Sequence, residues 1–156
     1  MIAIRPYRAG DAAALAEIYH DAVHRIGRRD YSPEQCVVWS PAQPDPANYE
    51  SWATGRREVW VATDAADAPI AYGALEPDGH IDHLYCRPDH AGKGVGSALV
   101  DRLETLARER GIGRLYVEAS DTAKPLFLRK GYAEIELRQF LLDGVLIHNT
   151  SMAKTL

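Results

Sequence analysis

"HAGKGVGSAL", residues 90–99, decides how the rest of the chain reads. Gly92, Gly94 and Gly96 stand at alternate positions, with Lys93 between the first two, where a strongly amphipathic run begins. Each glycine weakens a helix by roughly 0.5–1 kcal/mol relative to alanine. A tight strand-to-helix turn needs only one, so three imply that something must approach the backbone. The lysine phosphate loop requires four residues between its first glycine and Gly-Lys-Ser/Thr, and that spacing is absent. The dinucleotide pattern G-x-G-x-x-G fits at Gly92 and Gly94 but meets Ser97 at its third glycine, and it comes late for a doubly wound sheet. The remaining reading is an anion cradle. Without Cβ atoms at the three glycines, successive N–H groups can close on a diphosphate. The helix N-terminus adds its dipole, and Lys93 can add a charge.

Downstream of the loop, Val95, Leu99, Leu103, Leu106 and Arg110 recur at helical spacing with Ala98 and Ala107 beside them, and Gly111 and Gly113 stop the helix. Upstream lie strand-like runs at residues 58–63, 68–76 and 80–86, joined by "ADAP" and "PDG", which predicts an antiparallel meander. "RLYVEAS" (114–120) reads as a buried strand and "TAKPLFLRKG" (122–131) as a short helix. Residues 132–154 read as a long hairpin with Asp143–Gly144 at its tip. At the other end, "IAIRPY" (2–7) predicts a first strand. Asp11 is the expected N-cap of a helix carrying Leu15, Ile18, Ala22 and Ile26, which Gly27 breaks. Ser32–Pro33 starts a second helix, and "PAQPDPANYESWATG" (41–55) is proline-rich, then briefly helical. The predicted class is α+β, a mixed, mostly antiparallel sheet of about seven strands flanked by helices, in one domain spanning 1–156.

Of 156 residues, 46% are hydrophobic and 26% charged, and the net charge is −4. No basic stretch carries interleaved aromatics, so nucleic acid is not the expected partner. No apolar run approaches the ~18 residues of a membrane span, and the first residues lack a signal-peptide core. Cys36 and Cys86 make no disulfide framework and no metal-ligand spacing, so no metal is expected. They read as small buried hydrophobes in a reducing, cytoplasmic compartment.

Residues 85–120, "YCRPDHAGKGVGSALVDRLETLARERGIGRLYVEAS", resemble the acyl-coenzyme-A-binding core of the GNAT acyltransferase superfamily. That core is a strand, a Q/R-x-x-G-x-G/A loop and a long helix. Gly94 and Gly96 match its two small positions, and Ala91 stands where the family usually has glutamine or arginine. The resemblance extends to "IRPYRAGDAAALAEIY", "SDTAKPLFLRKGY" and the closing "MAK". "RRDYSPEQCVVW" and "DGVLIHNTSMAK" resemble a bacterial subgroup of acetyltransferases.

The resemblance implies an N-acetyltransferase that moves the acetyl group of acetyl-CoA directly to a primary amine. The compact acidic chain and its aromatic-acidic patch point to a small-molecule acceptor, with a protein or peptide acceptor, or a non-catalytic acyl-CoA sensor, as alternatives. The resemblance places the pantetheine arm along Leu84, Tyr85 and Cys86 as an added strand. The phosphates fall on Ala91, Gly92, Lys93, Gly94, Val95, Gly96 and Ser97. Ser120, Lys124 and Phe127 complete the cofactor side, with Arg129 and Lys130 in reach of the nucleotide. A backbone donor near Leu84–Tyr85 would meet the oxyanion.

The attacking amine needs a base, and "GHIDHLYC" offers His80, Asp82 and His83. Strict alternation puts His80, Asp82, Leu84 and Cys86 on one face, and Ile81, His83 and Tyr85 on the other. Phe127 stands where the family commonly carries the tyrosine that protonates the leaving thiolate. Tyr132, Tyr85, Ser120 or solvent then takes that part. Asp30, Tyr31 and Trp39, with Trp52 nearby, suit a cationic amine acceptor. Family habit also points to a possible homodimer through the last hairpin.

Overall fold

The computed structural model describes residues 2–156. Its strands are β1 (Ala3–Pro6), β2 (Glu58–Thr63), β3 (Pro69–Leu75), β4 (Ile81–Cys86), β5 (Arg114–Ala119), β6 (Ala133–Leu142) and β7 (Val145–Thr155). Its α-helices are α1 (Ala12–Asp21), α2 (Pro33–Trp39), α3 (Pro46–Ala53), α4 (Val95–Glu109) and α5 (Lys124–Arg129). The seven expected strands are present, divided between two antiparallel sheets of order β1-β2-β3-β4 and β5-β7-β6.

The two sheets meet at one parallel bridge, His80 to Tyr116, and beyond it β4 and β5 have no ladder between them. Gly79 makes that junction. Its φ of +99° is left-handed, and a Cβ there would stand 2.2 Å from the Arg114 carbonyl oxygen. The Gly79 carbonyl in turn accepts from the Tyr116 N–H at 3.1 Å. Only a residue without a side chain lets the β3–β4 turn touch β5 this closely. From this pivot the facing edges of β4 and β5 open with their backbone groups unpaired by any strand.

Two layers of core flank the first sheet. On one side α4 buries Val95, Leu99, Val100, Leu103, Leu106 and Ala107, against Ile81, Leu115, Phe127 and Met152 among others. Arg110, expected on the buried stripe, lies outside it and pairs with Glu58 at 2.8 Å. Glu104 is buried instead, held by Lys154 at 2.9 Å and by the Tyr132 hydroxyl at 3.0 Å. On the other side α1 and α3 pack Leu15, Ile18 and Tyr49 against Val61, Tyr72 and Ala74.

Local signals hold in most places. Ser32 and Gln35 form a reciprocal capping box at the start of α2. Asp143 (φ 47°) and Gly144 (φ 79°) turn the β6–β7 hairpin. Asp11 stands at the start of α1 but does not cap it through its side chain, because its carboxylate is taken by Arg5 at 2.8 and 3.0 Å and by the Arg8 amide. After Asp21 the helix widens into a π turn over Ala22–Ile26 and then a 3-10 turn over Gly27–Arg29. Among the described residues, no helix is long and apolar enough to cross a membrane.

Candidate active site

The opening between β4 and β5 leads into a cavity of about 520 Å³ that runs from the glycine loop to the last hairpin. At the loop, Gly92 and Gly94 have φ of +74° and +85°, and a Cβ on either would project into open space. Among the described residues, the backbone N–H groups of residues 92–97 find no acceptor in the protein. They lie at the N-terminus of a fifteen-residue helix, where the macrodipole adds positive potential. The residues present therefore fit a diphosphate: a concave run of donors with no side chain filling it. Ala91, Gly92, Gly94, Gly96 and Ser97 line the cavity. The Lys93 side chain is exposed and outside the lining, and the Val95 side chain is buried in the core, so only its amide faces this way.

β4 departs from strict alternation. Leu75 pairs with Ile81 and Ala74 with His83, so Asp82 is the extra residue of a bulge. The bulge overturns the expected grouping of faces. Ile81 joins Leu84 and Cys86 on the α4 side, whereas Asp82 turns with His83 and Tyr85 toward α1 and α3. Asp82 accepts from the Trp52 indole N–H at 2.9 Å and lies 3.4 Å from the Arg57 guanidinium.

His80 and His83, three positions apart, sit in opposite environments. His80 has Glu76 on one ring nitrogen at 2.6 Å and Glu118 on the other at 2.9 Å. Burial acts to lower its pKa, but the two carboxylates outweigh it and the net shift is upward. Its ring stacks on Tyr116 at 4.8 Å, and it lies behind the cavity wall rather than on it. Glu118, which sequence reasoning missed, is the member of this group that lines the cavity. The position is legible only once β5 is placed: with Leu115, Val117 and Ala119 buried under α4, Glu118 takes the opposite face. Among the described residues, Glu76, His80 and Asp82 also bring three ligand-type atoms within 4.8 Å, each already partnered within the protein. His83 lines the cavity among Tyr19, Tyr49, Trp52, Tyr72 and Tyr85. Burial pushes it down to about 4, against the pull of Asp82, so it is neutral at pH 7.

The other predicted residues divide. Leu84, Tyr85, Cys86, Ser120 and Phe127 line the cavity, as do Tyr31 and Trp39. Ser120 Oγ accepts from the Ala123 amide at 3.1 Å, opening the turn into α5. Burial raises the Cys86 thiol to about 11 and also raises Cys36, which keeps both as thiols. Tyr132 is a correction. It is 2% exposed, packs edge-on against Phe127 and bonds Glu104, so its hydroxyl belongs to the core and not to the cavity. Lys124 pairs with Glu134 and Lys130 with Asp101, which leaves Arg129 as the cation of α5 on the cavity. Asp30 also lies off the lining and accepts from the Thr122 hydroxyl at 2.8 Å.

That contact belongs to a set closing the far end. The Tyr31 hydroxyl donates to the His148 carbonyl and accepts from the Asp121 amide. His148 Nε2 lies 2.6 Å from Asp121. Gln35 donates to the Leu146 carbonyl at 2.9 Å, and the Trp39 and Phe140 rings approach to 6.2 Å. Through these, α2 and the turn before it are stitched to β7 and to the β5–α5 turn.

Comparison with known proteins places this architecture. The model of the acetyltransferase (GNAT) domain matches residues 28–156, and the chain belongs to that family of acetyltransferases. It is 32% identical to the uncharacterized N-acetyltransferase YafP of Escherichia coli K12, over 97% of this chain and 94% of that one. The L-methionine sulfoximine/L-methionine sulfone acetyltransferase of Pseudomonas aeruginosa is 30% identical over 70% of this chain and 65% of its own. A crystal structure of a GCN5-related N-acetyltransferase from Rhodopseudomonas palustris superposes with a TM-score of 0.90 at 37% identity. That match covers 99% of this chain and 95% of the other.

Proposed function

We propose that residues 1–156 form one domain that transfers the acetyl group of acetyl-CoA directly to the primary amine of a small molecule. The observation that carries this reading is the run of unpartnered amides at residues 92–97, set beside the open edges of β4 and β5. The first holds the diphosphate, and the second receives the pantetheine arm as an added strand. The bound thioester supplies an acyl group ready for attack by a neutral amine.

The chain's own residues supply the rest. Glu118 takes the proton from the amine, directly or through one water. His80, held between Glu118 and Glu76, keeps that carboxylate oriented and compensates its charge. With Phe127 at the usual tyrosine position, Tyr85, Ser97 and Ser120 are the cavity hydroxyls whose own protons find no acceptor among the described residues, and Ser120 also accepts from the Ala123 amide. A thiol of pKa ~8.5 also leaves tolerably as the thiolate, so this acid contributes little.

The small-molecule acceptor is supported by the closed far end. A peptide needs an open groove between the early helices and the hairpin, and that path is crossed by Gln35–Leu146, Tyr31–His148 and Trp39–Phe140. A volume of about 520 Å³ falls within the range of small-molecule sites. Trp39 and Tyr31 offer ring faces to a cationic amine. A two-copy assembly fits the outermost strand β6, where Leu137 and Leu141 are 62% and 71% exposed. Release of free CoA from acetyl-CoA, followed by thiol trapping over a panel of small amines and peptides, tests the reading. Turnover with a small amine is the expected outcome. Mass shifts on peptides alone would move the acceptor to proteins, and binding without turnover on either panel would make the chain a sensor.

A further inference from the structure

The neutral His83 has two ring nitrogens in unlike surroundings. Nδ1 lies 3.0 Å from the Tyr72 hydroxyl, and the Tyr72 hydroxyl lies 2.7 Å from that of Tyr49. Among the described residues, neither hydroxyl has another partner, and both tyrosines are buried, Tyr72 completely. Nε2 has no protein partner, yet it is not among the sealed-off unpaired atoms, and the ring lines the cavity.

Two directions are open to the protons in this chain. If His83 donates through Nδ1 to Tyr72, then Tyr72 donates to Tyr49, and the Tyr49 O–H is left buried without an acceptor. If the chain runs the other way, Tyr49 donates to Tyr72, Tyr72 donates to Nδ1, and every buried donor is satisfied. The second arrangement puts the ring proton on Nε2. We infer that His83 is fixed as the Nε2–H tautomer by the Tyr49–Tyr72 pair and presents an N–H donor to an oxygen of the bound reactants. That oxygen is the thioester carbonyl or a carboxylate on the acceptor. His83 is then a donor and not the base, Tyr49 and Tyr72 are positioning residues, and the inference rests on the acetyltransferase reading above. A low pKa agrees with this, since a charged ring would carry a proton on both nitrogens.

Long-range ¹H–¹⁵N correlation spectra of the ¹⁵N-histidine-labelled wild-type protein test the tautomer without any substitution. Nε2 is expected to be protonated and Nδ1 to carry a lone pair. Tyr72→Phe, which keeps the ring and removes the hydroxyl, should mix the tautomers. The reverse tautomer in the wild type overturns the inference. The ligand is then addressed by adding CoA, acetyl-CoA, and L-methionine sulfone as a carboxylate-bearing amine. A shift of the Nε2–H signal with acetyl-CoA but not with CoA assigns the thioester carbonyl. A shift with the amino acid alone, lost when its methyl ester is used instead, assigns a carboxylate. No shift with any of them, while the amides of Gly92 and Gly94 do respond to CoA, overturns the donor role. If those loop amides stay silent as well, the acetyltransferase reading itself fails.

Discussion

At the α4 end of the cavity the groups facing the ligand are backbone amides, whereas at the β4–β5 and hairpin end they are side chains already held by other side chains. The first end is built from consecutive residues. Removing one glycine there deletes the site. The second is built from Glu118, backed by His80 and Glu76, and from Tyr31 and His148, backed by Asp121, each drawn from different elements. A site of that kind degrades in steps, because each contact is one of several. On the proposed reading, the same difference separates what binds any acyl-CoA from what handles the proton and the acceptor.

The sharpest way to break this comparison is Gly94→Val. A β-branched residue at φ +85° is strained, and its side chain enters the space in front of the amides. Hydrogen bonds to charged groups are worth ~1.5–3 kcal/mol each, so losing two weakens acetyl-CoA binding by roughly 10²–10⁴-fold. Calorimetry reads the affinity, and far-UV circular dichroism checks the fold. Binding retained within tenfold would mean that the loop does not hold the phosphates.

Glu118→Gln acts on the other end. Turnover is expected to fall by about 10²–10³ with little change in the KM for acetyl-CoA, as for loss of a positioned base. Turnover kept within threefold of wild type would hand the proton to another group, with Asp82 next in position.

A smaller effect distinguishes the two histidines. His80 has a raised pKa in the folded state, so its ion pairs stabilise the protein fully below the unfolded value of ~6.5 and fade as pH rises through the folded value. The stability gap between wild type and His80→Gln, read from urea midpoints, should therefore be larger at pH 6 than at pH 9. Besides Glu76 and Glu118, Asp78 and Tyr116 face this ring region, and their mutual hydrogen bond does not involve the His80 ring. A gap that grows with pH would mean the ring is neutral between its carboxylates.

The loop, α4, the meander and the Asp143–Gly144 hairpin were readable because their codes are local: glycine positions, a period of 3.6, turn dipeptides. The division into two sheets was not, since it depends on Gly79 meeting the Arg114 carbonyl across 35 positions. The bulge at Asp82 carries no sequence mark, and it rotated one candidate base to the α3 side. Glu118 looked like an ordinary polar residue in "EAS" until β5 set it opposite the buried Val117 and Ala119 and beside His80. Asp11 shows the converse: a good capping residue in sequence, diverted by Arg5 from the neighbouring strand.

Tyr132 gives the smallest predicted effect and the cleanest separation of core from site. Sequence offered its hydroxyl, beside those of Tyr85 and Ser120, as the acid replacing the tyrosine missing at Phe127. In the fold Tyr132 and Phe127 touch as rings, 5.0 Å apart and nearly perpendicular, with the Tyr132 oxygen turned away toward Glu104. Glu104 keeps Lys154 on its other oxygen when that hydroxyl is removed. Tyr132→Phe should therefore cost about 1.5–3 kcal/mol of stability, as for one hydrogen bond to a buried carboxylate. It should leave kcat within twofold of wild type across the pH range. A rate loss of tenfold or more, at temperatures where the variant remains folded, would put that oxygen back into the chemistry.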